Sequence, residues 1–280
     1  MTTHPELTLA DVLQPDWRVS PRVRAFITTR NGGVSLPPYG RWRDGSDQPG
    51  GLNLGRRAGD DPAHVDANRA RLRMLAGIAE PAWLEQVHGA QVVSADDVLA
   101  GARAGDAPVR ADASVTDRPG TVSVVMIADC MPVLLCDPAG RAVGAAHAGW
   151  RGLAAGVVEN TARRVAASAG IEPSALHAYL GPCIGPSAFE VGDDVRDAFI
   201  DAAGAARRDA LARAFAPRAD TPGKYLADLP ALARERLVQQ LGITQITGGD
   251  QCTFTQRERY YSYRRDRVTG RMAALIWLAQ

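Results

Sequence analysis

Apolar and polar positions along the chain change period repeatedly, and each change marks an expected element. Residues 22–30 (RVRAFITTR) alternate with period two and stop at Asn31-Gly32-Gly33, which predicts a strand ending in a turn. Residues 36–51 are rich in Pro, Gly and polar side chains and predict an exposed loop. Asp61 before Pro62 is a helix start, and the apolar positions Val65, Leu72 and Leu75 carry that helix to about Ala76. Strands are predicted over 82–87 and 91–95, with His88-Gly89 at the turn between them, and then over 112–116, 121–128, 133–137 and 141–146. A helix over 153–168 leads to a strand at 175–180, and a capped helix starts near Gly192. The alanine- and arginine-rich stretch 201–219 has no clear period. Residues 228–241 predict a helix, 243–247 a strand, and 260–266 are expected to pair with 271–278 across Val268-Thr269-Gly270. Helices alternate with runs of several strands, so the expected class is α/β with mixed rather than doubly wound sheets. The expected organisation is a short N-terminal extension, 1–20, and one domain over 21–280.

Composition narrows the function classes. A net charge of +1 and a pI near 7.7 give no electrostatic case for nucleic acid or membrane partners. Every basic side chain counted as Lys or Arg is arginine except Lys224. No apolar run approaches the roughly 20 residues of a membrane helix, and the first residues lack the basic and apolar regions of a secretion signal. The 4 cysteines, Cys130, Cys136, Cys183 and Cys252, are scattered with no CxxC pair. That pattern predicts free thiols and a cytoplasmic, reducing compartment.

Two segments hold the candidate chemistry. RAVGAAHAGWRGLAAGVVENTARR (141–164) reads as a strand reaching His147, a glycine turn and a helix start. VVMIADCMPVLLCDP (124–138) is an apolar stretch interrupted by Asp129 and Cys130. Of the 5 histidines, His4 lies at the terminus, His64 near a helix start and His177 within a strand pattern, whereas His88 and His147 fall at strand ends beside glycine. His88, Cys130 and His147 would supply a His2Cys ligand set with a fourth position for water. The same residues equally suit a Cys–His nucleophilic pair, and the pattern alone favours a buried thiol with two structural histidines over both. Their spacing matches no local metal motif. Cys136 is expected in the core, and Cys183 and Cys252 in turns, where each could line a site. Among Arg30, Arg151, Arg264 and Arg265, only Arg151 has a nearby predicted helix start to support an anion.

Further motifs set these residues in order. Phe26-Ile27-Thr28-Thr29-Arg30, Gly32-Gly33-Val34-Ser35, Leu52-Asn53-Leu54-Gly55 and Gly59-Asp60-Asp61 are followed by Gln86-Val87-His88-Gly89 and Ala128-Asp129-Cys130-Met131-Pro132. Then come His147-Ala148-Gly149-Trp150-Arg151-Gly152, Gly181-Pro182-Cys183-Ile184-Gly185, Cys252-Thr253, Tyr261-Ser262-Tyr263-Arg264-Arg265-Asp266 and Thr269-Gly270-Arg271. Over about residues 24–277 the chain resembles the YfiH/YlmD, or laccase-domain, family. The resemblance implies an α/β sandwich of mixed sheets flanked by helices. It also implies zinc on His88, Cys130 and His147, and purine nucleoside phosphorylase activity with accompanying adenosine deaminase and methylthioadenosine phosphorylase activity. Polyphenol oxidase and peptidoglycan editing factor are further descriptions of the family. Two departures bear on substrate preference: the long 36–51 loop, and Arg56-Arg57-Ala58 where a His-Val pair often follows the LNLG motif.

The expected function is therefore a zinc-dependent purine nucleoside phosphorylase acting on adenosine, inosine or methylthioadenosine, with small-molecule nucleoside and phosphate as partners. Zinc would acidify a bound water for deamination. Arg151, and secondarily Arg30, would neutralise phosphate. Asn53 would hold ribose or base by its place in the motif, and Asp129 would orient a ligand, act as acid or base, or simply form the turn. Two alternatives remain open. One is an amide hydrolase with Cys130 as nucleophile, acting on a peptidoglycan precursor. The other is a copper polyphenol oxidase, for which Met126 and Met131 flank Cys130. A multicopper cluster is excluded by ligand supply, since 5 histidines are too few.

Overall fold

The computed structural model describes residues 7–201 and 203–280, so His4 lies outside the described residues. Two sheets form the centre. The first orders Val12–Leu13, Val23–Thr28, Met272–Leu278 and Val122–Ile127, all antiparallel. The second orders Gln245–Gly248, His177–Leu180, Met131–Cys136, Val143–Ala148, Ala113–Thr116 and Val92–Ser94. Its two outermost pairings are parallel and its inner ones antiparallel, so the sheet is mixed, as the strand runs in the sequence predict. Within the expected 1–20 extension, Val12–Leu13 belongs to this frame, because it pairs with Ile27 and Thr28.

The two sheets stack. Along Met272–Leu278, alternate residues Met272, Ala274, Ile276 and Leu278 meet Val125, Ile127, Leu134, Cys136, Val143 and Ala145 between the sheets. The intervening Ala273, Leu275 and Trp277 lie on the outer face with Leu52, Leu54 and Leu72, the last from helix Pro62–Ala76. On the other side, Met131, Val133 and Leu135 pack against Val158, Ala162 and Val165 of helix Val157–Ala169 and Leu232 and Leu237 of helix Leu229–Leu241. With both faces covered, these strands read as continuous apolar runs instead of alternating ones. The mixed α/β sandwich is thus the observed architecture.

Local signals explain several elements. The Asp61 side chain accepts from Ala63 N and caps helix Pro62–Ala76, which Gly77 ends in the left-handed region. The 36–51 loop contains a small hairpin, Arg41–Arg43 with Ser46–Gln48, turned by Asp44-Gly45 with both φ values positive.

Four expectations are corrected. The helix expected over 153–168 starts earlier and is broken: Trp150–Ala154 and Val157–Ala169 meet at Gly156, whose φ of +92° only glycine adopts freely. The 82–87 strand reduces to isolated bridges, Ala82 with Ser123 and Glu85 with Arg110. Val92–Ser94 runs straight into helix Ala95–Ala104, started by the Ser94 hydroxyl accepting from Asp97 N. Residues 260–266 do not pair with the final strand, because both edges of Met272–Leu278 are already taken by Val23–Thr28 and Val122–Ile127. Tyr260 and Tyr261 bury their rings, and Tyr263–Asp266 forms a helical turn capped by Ser262.

Candidate metal centre

The chain crosses from one sheet to the other between Ile127 and Met131, and Cys130 sits in that crossing. Asp129, at φ +98°, makes the sharp bend. Beside it, antiparallel pairing sets His147 opposite Pro132 and Ala148 opposite Met131, so the end of the Val143–Ala148 strand brings His147 to Cys130. His88 comes from a loop, at φ +60°. The candidate ligand atoms of His88, Cys130 and His147 all lie within 4.8 Å of one another, and the two imidazole centroids are 4.9 Å apart. His147 is buried, Cys130 half-buried and His88 exposed, so the group opens to solvent on one side.

One carboxylate holds both histidines. Asp112, fully buried, accepts from the backbone N–H groups of Val87 at 3.2 Å, His88 at 2.9 Å and Gly89 at 2.6 Å. It also lies 2.9 Å from His147 Nδ1. Burial works to raise its pKa, but the His147 contact and these N–H donors outweigh burial and hold the carboxyl below its usual range. A carboxylate has no proton to give, so Nδ1 of His147 carries a hydrogen, and Nε2 is the nitrogen that would bind a metal once its own proton leaves.

The thiol and imidazole perturb each other. Burial works to raise Cys130, yet the His147 charge and hydrogen bonds from His147 and His88 bring it down to about 6. Burial works to lower His147, yet the Cys130 thiolate and Asp112 lift it to about 9. A thiolate facing two histidines is a soft donor set for zinc or copper. Space is reserved for it as well: a Cβ on Gly149 would stand 2.8 Å from Cys130 Sγ and 3.2 Å from His88 Cδ2. Ligand bonds of about 2.0–2.3 Å would draw the three donors onto one ion by small side-chain rotations. The three residues therefore fit a metal.

The other expected site residues divide. Asp129 neighbours Cys130, but its carboxylate accepts from Thr253 Oγ1 and from Arg264 N, both at 2.6 Å, and so ties the crossing to the C-terminal segment. Asn53 is fully buried: its Oδ1 accepts from Gly55 N at 3.0 Å and Arg271 N at 2.8 Å, and its Nδ2 donates to Asp60. Arg30 is only 1% exposed and donates to Gly40 O, Arg257 O and Asp47. Its guanidinium is committed to loops. Arg151 is exposed, stacked 4.3 Å from the Trp150 ring centroid, and it is the second residue of a helix of only 5 residues.

His64 faces Asp60 near its helix start, and His177 belongs to a strand, as expected of a structural histidine. Met131 is buried in the core, in line with Val133 and Leu135. In the departure from the family motif, Arg56 pairs with Asp66 and Arg57 with Glu85 on the surface. Sequence reasoning missed Asp112, a lone acid before a short strand, and Arg271, which belonged to a motif but had no assigned task. Only convergence in space marks either.

A family profile described as multi-copper polyphenol oxidoreductase laccase matches residues 24–279. A protein of Escherichia coli strain K12 named purine nucleoside phosphorylase YfiH is 48% identical, covering 96% of this chain and all of that one. A Pseudomonas aeruginosa relative, also named a purine nucleoside phosphorylase, is 47% identical over 95% of this chain and 98% of its own. Among solved structures, Neisseria meningitidis protein NMB0706 superposes with a TM-score of 0.83 at 44% identity, covering 96% of this chain and 100% of that one. YlmD from Geobacillus stearothermophilus does so with a TM-score of 0.78 at 31% identity, covering 96% and 100%. With the profile and these relatives spanning nearly all of it, the chain belongs to the YfiH/YlmD laccase-domain family.

Proposed function

We propose that the chain is a zinc-dependent purine nucleoside phosphorylase, cleaving inosine, adenosine or methylthioadenosine with phosphate, and that it also deaminates adenosine. The observation that carries the reading is the joint one: relatives 48% and 47% identical bear the phosphorylase name, and His88, Cys130 and His147 converge here. Residues 21–280 would act as one cytoplasmic catalytic domain, which the pairing of Val23–Thr28 with the last strand supports.

His88, Cys130 and His147 would hold the zinc ion, which would supply Lewis acidity at the site. The protein's own contribution is positioning. Asp112 keeps the His147 hydrogen on Nδ1 and orients the His88 loop. Asp129 fixes the crossing that carries Cys130, through Thr253 and Arg264 N. Asn53 and Arg30, both turned inward, shape the loops around the site. Arg151, exposed next to the Gly149-Trp150 turn, offers a solvent-facing cation for an approaching phosphate. In phosphorolysis phosphate attacks the anomeric carbon as the purine leaves, so cations placed against phosphate lower its cost of approach.

The test is chromatographic separation of free base, ribose phosphate and deaminated nucleoside after zinc-loaded protein meets inosine or adenosine, with and without phosphate. Hypoxanthine released from inosine only with phosphate is the expected result. Absence of phosphate-dependent base release at full zinc occupancy would remove the phosphorylase reading. A second reading, a cysteine hydrolase, draws on the lowered Cys130 thiol beside His147. It requires that Cys130 be free to alkylate in the zinc-loaded protein. A copper oxidase would instead show stoichiometric copper and phenol turnover.

A further inference from the structure

Arg271 precedes the last strand, whose first residue, Met272, pairs with Ile127. One step beyond that pair, Arg271 lies beside the Ala128-Asp129-Cys130 crossing. The surrounding chain is built around it. Asn53 Oδ1 accepts from Arg271 N at 2.8 Å, and a Cβ on Gly55 would stand 2.7 Å from Arg271 Cγ. The guanidinium is 5.8 Å from the ring centroid of Tyr263, which is half exposed.

The donors of this guanidinium are unevenly used. Nη1 donates to Thr269 O at 3.0 Å and Gly270 O at 3.1 Å, which turns one end toward the backbone. Nε and Nη2 donate to no group among the described residues, and neither is sealed away as a buried orphan. No carboxylate pairs with Arg271 among the described residues. Two other arginines of this region are spent, Arg30 on Gly40 and Asp47, and Arg265 on Asp266 and the carbonyls of Thr253 and Phe254, while Arg264 turns its Nη1 away to Glu190 O. Burial pulls the Arg271 pKa down while Cys130 and Asp129 hold it up, a charge kept in a partly desolvated place by the anions of the site.

The free Nε–Nη2 edge is the side of a guanidinium that meets two oxygens of an oxyanion at once. We propose that Arg271 is the residue that grips inorganic phosphate, through Nε and Nη2, next to the Cys130 crossing. This rests on the phosphorylase reading and adds the place where its second substrate is held. Asn53 is then a positioning residue, since its carboxamide holds the Arg271 backbone.

Steady-state phosphorolysis of inosine by wild type, Arg271→Ala and Arg271→Lys, with zinc content and melting temperature recorded for each, tests the assignment. Loss of one charged, forked contact predicts a KM for phosphate raised about 10- to 100-fold in Arg271→Ala. Arg271→Lys, keeping charge without the fork, should fall between the two. Zinc content should stay at the wild-type level. An active wild type with an unchanged KM for phosphate in Arg271→Ala overturns the assignment and leaves the phosphorylase reading standing. Should wild type release no base with phosphate, that reading fails. Calorimetric titration of inorganic phosphate into the zinc-loaded proteins then judges Arg271 alone: weaker binding to Arg271→Ala supports it, and equal binding overturns it.

Discussion

Asp112 Oδ1 lies 2.9 Å from His147 Nδ1 and also accepts the backbone N–H of His88 at 2.9 Å. A single buried carboxylate therefore sets the position of two of the three candidate ligands, and by holding a hydrogen on His147 Nδ1 it makes Nε2 the nitrogen that would meet a metal. Replacing it with asparagine would keep the shape but put an N–H among groups that already donate. Asp112→Asn should weaken zinc binding by about 10- to 100-fold, the usual range for a group supporting a metal ligand. Competition with a chromogenic chelator measures it, and unchanged affinity would refute the role.

Gly149 offers a cleaner separation of metal binding from folding. Its backbone, at φ −67° and ψ 162°, suits any residue, so a methyl group adds no backbone strain. The methyl would sit 2.8 Å from Cys130 Sγ and displace the thiol. Gly149→Ala should lower zinc affinity sharply while the unfolding midpoint of the metal-free protein moves little. A large loss of metal-free stability would place the glycine's role in packing instead.

The thiols should differ in reactivity. With Cys130 at about 6 against an ordinary thiol at 9.0, its alkylation in the metal-free protein should rise with pH through about 6 and then level off. Below that pH the thiolate is lost and the rate falls. Zinc should block the reaction. Cys252 should follow: burial raises it, but the Thr255 hydroxyl and the N–H groups of Thr255, Gly185 and Phe254 outweigh burial and draw it down. Burial pushes Cys136 and Cys183 well up, so both should stay unmodified until unfolding. All four are free in the structure. Thiol counting on denatured, non-reduced protein should therefore find 4 groups. A count of two would mean that Cys183 and Cys252, opposite each other in an isolated parallel bridge, had joined.

Arg30 is expected to act on stability. Arg30→Ala leaves Gly40 O without its two donated N–H groups and Asp47 without its partner. The loss should be about 3–5 kcal/mol in urea unfolding, the range for breaking a buried charged pair. Zinc stoichiometry of the folded fraction should be unchanged. Full stability with a raised KM for phosphate would return Arg30 to the substrate.

Much of this molecule could be read before folding, wherever the cause was local. Helix Pro62–Ala76 follows from an Asp cap, a proline at the first turn and apolar spacing, all within 15 residues. The central strands were legible because residues covered on both faces must be apolar. His88, Cys130 and His147 stood out because few residue types bind metals, yet their spacing left a metal, a nucleophile and a structural role all open, and the family motifs tipped the balance. Tertiary structure decided the rest, through contacts between residues far apart in sequence. The 260–266 segment lost its expected partner because two other strands occupied both edges of Met272–Leu278. Arg30 turned inward because the carbonyls of Gly40 and Arg257 take its donors, and Asn53 because its carboxamide accepts from Gly55 N and Arg271 N and donates to Asp60. Asp112 and Arg271 acquired their places only when the crossing at Cys130 brought two sheets together. Side-chain identity sets what chemistry a residue can offer; burial and neighbours, which belong to the folded chain, set whether that chemistry is spent on the fold or left for a ligand.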